Sequence, residues 1–263
     1  MAKGSRGGRR AGGNSSSGTA ANSATTPSGI TYTQFMAMSD SEKFQTMDDI
    51  ISNPNIQVPD YLDDSVTSKV MYGLGMNGKP RVVSDSELDN IDGTELFRTV
   101  YEKGTIPPPS SDGILDQIRN GDYTQMSGSG GSALGRAIYF ADDFVESALY
   151  GDAEKNAMVM RAKVNKNAKI ADYDTLQKAM VNDSAFTEYR HKYRMSSSKY
   201  KDSVSLYAIA KGYDGWNRRH NYMLLNRSAL TVSSQNKRIN TQGNDKDWHQ
   251  VDVFDWQSAP NVE

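Results

Sequence analysis

Polar and apolar residues alternate with a period of two in several short stretches of the chain, which predicts β-strands. In residues 94–104, "TELFRTVYEKG", Leu96, Arg98 and Val100 fall on one face and the residues between them fall on the other. Residues 157–170 alternate in the same way. Arg98 therefore shares a face with apolar residues, where a guanidinium group is costly unless it meets an anion.

A third strand is predicted inside "GRAIYFADDFVESALYG", residues 135–151. Its apolar run contains Tyr139 and follows a loop rich in glycine and serine, and Asp142 or Asp143 is expected to cap the helix after it. The loop rich in glycine and serine has two interpretations: it is a plain strand-to-helix corner, or it lies against a ligand. Residues 222–232 predict a strand pair or one kinked strand, and the polar tail after them is expected to pair as an edge strand.

Helical spacing of apolar residues appears in four further stretches. It predicts helices over residues 33–52, 59–75, 172–195 and 204–212. Asp40 or Ser41 is expected to cap the second half of the first, and the last is expected to end at Gly212. The first two helices precede the predicted strands, so we expect them to brace a mixed core.

Residues 1–29 consist mainly of Gly, Ser, Ala, Thr and Asn, with four basic residues and no acidic residue. Such a segment buries too little apolar surface to offset the entropy of ordering it, so we expect a disordered arm. The arm is either a solvated tail or a weak contact for nucleic acid or a scaffold through its arginines.

Composition excludes several classes of protein. The net charge of −2 over 263 residues leaves the chain beyond the basic arm acidic, which argues against a duplex-DNA binder. Cysteine is absent, which excludes disulfide frameworks, cysteine–zinc sites and thiol nucleophiles. The three histidines are far apart, so no histidine metal site is expected. No apolar run approaches the roughly 20 residues of a membrane span, and no secretory signal is expected at the N-terminus.

Three segments in a fixed order resemble the ADP-ribosyltransferase family, and more closely its branch in tailed-phage structural and head-associated proteins. "ELFRTV" is similar to the first core strand, whose Arg or His meets the dinucleotide. "GRAIYFADDFVESALYG" is similar to the family's G-x-G-I-Y-F-A segment, with Ala137 in place of the second glycine. "KGYDGW" followed by "NYMLLNRSALTV" is similar to the late strand that carries the catalytic glutamate. The resemblance covers roughly residues 90–232.

The resemblance implies an α+β fold with a split β-sandwich core of the ADP-ribosyltransferase type. It divides the chain into the arm over residues 1–29, a helical N-terminal extension over residues 30–90 and an ADP-ribosyltransferase-like domain over residues 91–263. It also implies NAD as co-substrate, a host protein or nucleic acid as acceptor, phage head proteins as further partners and no membrane. The expected location is the phage virion, the host cytoplasm or both.

The resemblance also assigns candidate site residues. Catalysis would involve Arg98, Tyr139 and Asn221, with Tyr139 stacked on nicotinamide and Tyr150 as a second wall of the pocket. The residues implied in NAD binding are Arg98, Thr99, Ser132, Gly135, Tyr139, Phe140, Ser147 and Tyr150. From the residues alone, structural roles stay open for these positions, namely a salt bridge for Arg98, core packing for the tyrosines and solvated loop filler for Ser132.

Asn221 stands where the family places its catalytic glutamate. An asparagine accepts hydrogen bonds but lacks the negative charge that would stabilise an oxocarbenium-like ribose, a loss on the order of 10²–10³ in rate. Two hypotheses follow, an ADP-ribosyltransferase and a non-catalytic phage virion or interaction protein that keeps the fold. Asp214 or Asp142 is a candidate substitute carboxylate, and His220 is either a surface turn residue or an acid–base group.

Residues 189–201, "YRHKYRMSSSKYK", interleave tyrosines with basic residues. This pattern is typical of single-stranded nucleic-acid binding by charge and stacking, and equally of a solvated amphipathic helix. In a transferase the same segment would serve to guide an acidic target.

Overall fold

Eight strands form one sheet in the computed structural model of the chain, which describes residues 26–59, 65–76, 78–100, 134–148, 157–192, 200–238 and 256–259. In chain order the strands are β1 (Arg81–Val83), β2 (Gly93–Val100), β3 (Ile138–Ala141), β4 (Met158–Asn165), β5 (Ile170–Asp172), β6 (Gly215–Arg218), β7 (Asn221–Leu224) and β8 (Leu230–Arg238). Their order in the sheet is β1-β8-β4-β2-β3-β7-β6-β5. The β1–β8 and β5–β6 pairs are parallel and the other pairs are antiparallel.

The predicted alternation of β2 and β4 is confirmed. One core cluster contains Leu96 and Val100 from β2 together with Met160 from β4, whereas Phe97 and Val159 belong to a separate cluster on the other face. The first cluster consists of strand residues from β2, β3, β4, β7 and β8, so strands from both halves of the sheet share this core. The C-terminal segment 256–259 packs on the second cluster.

Residues 222–232 belong to two strands, β7 and β8, as one of the two predicted alternatives has it, and a 3-10 turn at Arg227–Ala229 separates them. The two strands are not neighbours in the sheet. The expected edge strand after residue 233 begins as the end of β8, which pairs with β4 up to Arg238 beyond the residues that pair with β1, and residues 239–255 lie outside the described residues. The true edges are the three-residue strands β1 and β5, which are too short for a periodic signal.

Eight helices are described, and several begin at residues that the sequence marks as caps. They are α1 (Tyr32–Met36), α2 (Asp40–Ser52), α3 (Val66–Gly73), α4 (Asp85–Asp89), α5 (Phe144–Ala148), α6 (Tyr173–Asn182), α7 (Ser184–Lys192) and α8 (Tyr200–Ala210). The helical prediction over residues 33–52 is confirmed as two helices, and the predicted cap of the second half lies slightly earlier, because Ser39 forms a capping box with Glu42 and starts α2. Asp183 likewise divides the helix predicted over 172–195, since its carboxylate accepts from the backbone N–H of Phe186 at 3.0 Å.

Helices α1 and α2, near the start of the chain, share one core with helices α7 and α8, in its second half. Phe35 and Met47 from α1 and α2 lie in the same buried cluster as Phe186 and Ile209 from α7 and α8, and Trp216 of β6 also belongs to it. The predicted helical extension, residues 30–90, thus contributes to this cluster, and β1 places three of its residues in the main sheet. Of the predicted arm, residues 26–29 are described, and the hydroxyl of Ser28 donates to the carbonyl oxygen of Gly73 at 2.5 Å. Within the described ranges no helix has the length and apolarity needed to cross a bilayer.

Lys211 ties three helices together. Its ammonium lies 2.6 Å from Oδ2 of Asp40 at the start of α2 and 2.9 Å from Oδ2 of Asp183 between α6 and α7. Burial acts to raise the pKa of Asp183, but the hydrogen bond from the Phe186 N–H and the contact with Lys211 outweigh it, so this pKa is lowered.

We expect Lys211→Met to lower the free energy of unfolding by about 2 kcal/mol, because it leaves the buried end of Asp183 without its cation. A lowered folded-state pKa stabilises the protein above the unfolded carboxyl value, and this contribution is lost as pH falls through the folded value. The difference between wild type and variant should therefore shrink below about pH 4. Urea unfolding at pH 7 and at pH 3 measures it, and a difference that grows at pH 3 would contradict the assignment.

Candidate functional site

The sheet is least paired between β2 and β3. These strands share one registered pair, Phe97 with Ala141, whereas each other neighbouring pair among the described strands has at least three. Arg98 bridges this opening, since its Nη1 donates to the carbonyl oxygen of Tyr139 at 2.5 Å. Only 9% of Arg98 is exposed. The guanidinium predicted to meet an anion is thus held against β3, where the two strands share one registered pair.

The register decides which predicted site residues share a face. Phe97 lies opposite Ala141, so both side chains point to the same side of the sheet, together with that of Tyr139 two residues away. Arg98 points to the other side, with Leu96 and the buried ring of Phe140. The structure therefore joins Arg98 to the backbone of Tyr139 and not to its ring.

The ring of Tyr139 packs against the helical core, and its hydroxyl is engaged by the preceding loop. The hydroxyl accepts from the backbone N–H of Leu134 at 3.2 Å and donates to the carbonyl oxygen of Gly135 at 2.8 Å. Burial raises the pKa of Tyr139 to about 12, so the phenol stays protonated at neutral pH. The hydroxyl of Tyr139 thus fixes the loop to β3, the strand that follows it.

The end of the glycine-rich loop is held by two further elements. The indole N–H of Trp216 donates to the carbonyl oxygen of Leu134 at 2.9 Å. The hydroxyl of Ser205 in α8 accepts from the backbone N–H of Arg136 at 3.0 Å and donates to its carbonyl oxygen at 2.7 Å. Gly135 has φ +115°, a conformation that side chains rarely adopt. The loop entering β3 is therefore clamped, while its predicted flexible part around Gly128, Gly130 and Gly131 lies outside the described residues.

Thr99 and Ser147 meet on the same side of the sheet as Tyr139. The hydroxyl of Thr99 donates to the carbonyl oxygen of Ser147 in α5. Ser147 itself is 3% exposed, and its hydroxyl oxygen is buried with no hydrogen-bond partner in the described part of the chain. Buried polar groups are nearly always paired, so this hydroxyl is an exception in the described part of the chain.

Asn221 begins β7, and its register partner in β3 is Ala141. Phe97, Ala141 and Asn221 therefore lie in one row across three neighbouring strands, and Asn221 is half-buried. Its neighbour His220 contacts Asp142, the residue after β3, with His220 Nδ1 3.0 Å from Asp142 Oδ1.

Asp214 has a structural role in the described contacts. Its carboxylate accepts from the backbone N–H of Lys169 at 2.8 Å and from the side-chain amide of Asn226 at 2.7 Å. It thus ties the start of β6 to the segment before β5 and to the turn after β7. Of the two carboxylates considered as substitutes for the missing glutamate, Asp142 is the one that lies beside Asn221.

Other predicted residues cannot be placed. Ser132 and Tyr150 lie outside the described residues, as do residues 193–199 of the basic and aromatic segment.

The helix cap predicted at Asp142 or Asp143 is Asp143, whose carboxylate accepts from the backbone N–H of Glu146 at 2.9 Å. The part of the chain that the structure describes holds no group of three acidic or histidine residues arranged for a metal ion.

An open pocket of about 390 Å³ lies elsewhere on the sheet. Its walls come from β2, β4, β6 and β7 and from the segment between β4 and β5. Thr94 and Tyr222 line it, but none of the predicted site residues does. It is therefore separate from the row that contains Asn221.

Comparison of the chain with protein-family models, with curated proteins and with solved structures finds no match.

Proposed function

We propose that this protein is an NAD-dependent ADP-ribosyltransferase of phage type, which moves ADP-ribose onto a host protein or nucleic acid. One observation carries the proposal. The three segments that resemble the family are far apart in sequence, yet they form the adjacent strands β2, β3 and β7. The resemblance implies that all three segments belong to one core, and their placement side by side and in one register row supports the proposal.

In this proposal NAD would bind on the side of the sheet that carries Thr99, Tyr139 and Asn221. The hydroxyl of Ser147 offers a buried donor and acceptor suited to an amide such as that of nicotinamide. Leaving a buried hydroxyl unpaired costs about 1–3 kcal/mol, which a bound amide would recover. In this proposal Tyr139 contributes its ring, Gly135 allows the backbone to come close, and Asn221 holds a ribose hydroxyl.

Arg98 takes a positioning role in this arrangement. Its guanidinium lies on the opposite face of the sheet from the Tyr139 ring and holds the carbonyl oxygen of Tyr139. Its loss would release β3 from β2 where their pairing is reduced to one residue pair. In this proposal Arg98 on one face of β2 and Thr99 on the other connect the face that would bind NAD to the core on the opposite face.

A second candidate function is supported by Asn221. A site with asparagine in the glutamate position loses the charge that would stabilise positive charge on the ribose. The alternative is therefore a non-catalytic phage virion or interaction protein that keeps the fold, with or without NAD binding.

We expect Ser147→Ala to weaken NAD binding about 5-fold, since one hydrogen bond contributes about 1 kcal/mol, while leaving the free energy of unfolding equal or higher. The hydroxyl has no described partner to lose in the free protein. Titration calorimetry with NAD and urea unfolding measure the two quantities on the same samples.

The matched control is Ser205→Ala, because the Ser205 hydroxyl makes two bonds to Arg136 and its removal should destabilise the loop. If Ser147→Ala binds NAD as well as wild type does, the fit at Ser147 is wrong. If wild type itself does not bind NAD at millimolar concentrations, the proposed function fails.

A further inference from the structure

The open pocket of about 390 Å³ lies on the face of the sheet opposite Tyr139 and Asn221. Asn217 and Tyr222 line it, and they are register partners in β6 and β7, so their side chains point to the same side of the sheet. Asn221 and Met223, the neighbours of Tyr222 along β7, point to the other side. The pocket is therefore separate from the face that would bind NAD.

The floor of the pocket is apolar. Ala168, Ile170 and Tyr222 line it and also pack against the core cluster that contains Leu96 and Met160. Tyr222 is half-buried, so the core holds one part of its side chain while another part faces the pocket. The volume lies within the range of about 300–1,000 Å³ that is typical of small-molecule sites. The pocket thus offers a fixed aromatic surface on which a flat ring can stack.

Uncharged polar side chains surround this floor. They come from Thr94, Asn165 and Asn217. The Asn165 amide is occupied, since it accepts from the hydroxyl of Thr231 at 3.1 Å and donates to the carbonyl oxygen of Ser228 at 3.3 Å. In the part of the chain that the structure describes, the side chains of Thr94 and Asn217 make no hydrogen bond to protein. The Asn217 amide offers a donor and an acceptor side by side, which is the pattern that pairs with the edge of a nucleobase.

Positive charge comes from the segment that joins the end of β4 to the start of β5. It reads "NKNAKI" over residues 165–170, with two lysines and no acidic residue. Lys166 lines the pocket, and its ammonium lies 3.0 Å from Oδ2 of Asp92. Both side chains of this pair are exposed, and exposed ion pairs contribute little to stability, so the ammonium is free to turn to an anionic ligand. Phosphate is an anion that lysine binds as a point charge.

We propose that this pocket binds a nucleotide, with the nucleobase stacked on Tyr222, its edge at the Asn217 amide and its phosphate at Lys166. The binding is reversible and changes no covalent bond, so it does not depend on the proposed transfer activity. The same groups would hold a free nucleoside monophosphate or one unpaired base of a single strand, because both present a flat ring and a phosphate.

The test is titration calorimetry of the purified full chain with AMP, GMP, CMP and UMP in buffer without phosphate. We expect at least one of them to bind at millimolar concentrations or below. Tyr222→Leu should weaken that binding about 10-fold because base stacking is lost, and Tyr222→Phe should keep it. Asn217→Ala should weaken it about 5-fold, as the loss of one hydrogen bond does. Because the Asn217 side chain makes no described hydrogen bond to protein, this variant keeps the fold intact.

Two further comparisons test the phosphate contact and identify the source of the nucleotide. Lys166→Ala should weaken binding of the monophosphate and leave binding of the corresponding nucleoside unchanged. A single-stranded homo-oligonucleotide of the same base is then titrated in parallel. Tighter binding of the oligonucleotide would identify a single strand as the ligand, and equal or weaker binding would identify a free nucleotide. Either result supports the pocket as a nucleotide site.

The matched control for Lys166→Ala is Lys178→Ala, an exposed lysine of α6, which packs on the opposite face of the sheet. It should keep wild-type affinity. NAD itself contains an AMP half, so Ser147→Ala is a second control, and it should keep the affinity for the monophosphates. If these ligands bind equally to wild type, Tyr222→Leu and Asn217→Ala, or if Ser147→Ala is the variant that loses them, the nucleotide pocket is overturned while the proposed function stands. Absence of binding by all four monophosphates at millimolar concentrations would also overturn it.

Discussion

Replacing Gly135 by alanine is expected to lower the free energy of unfolding by about 3 kcal/mol. A Cβ at this position would lie 2.6 Å from the Trp216 ring and 3.3 Å from Val204. Trp216 is fully buried and donates to Leu134, so it cannot move aside without losing that bond. The φ of +115° adds backbone strain to the clash. Urea unfolding measures the loss, and NAD binding should fall with it because the clamped loop enters β3.

The matched control is Gly29→Ala. Gly29 also has positive φ, +75°, but an added Cβ there meets nothing within 4 Å. Its cost should be limited to backbone strain, about 1 kcal/mol. Equal losses at the two positions would mean that Trp216 yields to the new methyl group, and the loop would then be less rigid than its contacts indicate.

Replacing Asn221 by glutamate is expected to raise the rate of nicotinamide release on the order of 10²–10³. The substitution supplies the negative charge that the proposed transferase would need at the ribose, on a half-buried strand residue in the same row as Ala141 and Phe97. The size of the effect follows from electrostatic stabilisation of positive charge on the ribose. The rate of nicotinamide release at saturating NAD is the measurement.

Asn217→Glu is the control for this experiment, since it adds the same charge on the neighbouring strand β6, at the wall of the separate pocket. It should leave the rate unchanged. An Asn221→Glu variant that folds, binds NAD and stays as slow as wild type would favour the non-catalytic alternative.

Much of the strand and helix pattern follows from local sequence. The alternation in β2 and β4 predicts their faces, because period-two burial is a property of each strand alone. The helix breaks at Ser39 and Asp183 carry a local signal too, since both residues are good N-caps. The sequence predicts the first break within two residues and misses the second, because apolar spacing continues on both sides of Asp183. The strands β5 and β6 give no periodic signal, because each has only three or four residues.

The arrangement of the site depends on long-range contacts that no local pattern contains. Arg98 and Tyr139 are both predicted site residues, but only the register of β2 and β3 shows that their side chains point to opposite faces. The clamp of Leu134 by Trp216 joins residues 82 positions apart. The pair of His220 and Asp142 spans 78 positions, and its one hint in the sequence is that Asp142 lies inside one segment similar to the family and His220 directly precedes another.

The most direct test of the central claim is incubation of the purified protein with labelled NAD and host lysate, with Arg98→Ala in parallel. The account predicts nicotinamide release together with label on a protein or nucleic acid, and loss of both in Arg98→Ala, because β3 is then no longer held to β2 by this side chain. Release without labelled macromolecules would restrict the activity to NAD hydrolysis. Absence of both signals in wild type, with NAD binding intact in calorimetry, would contradict the transferase and leave a non-catalytic NAD-binding protein.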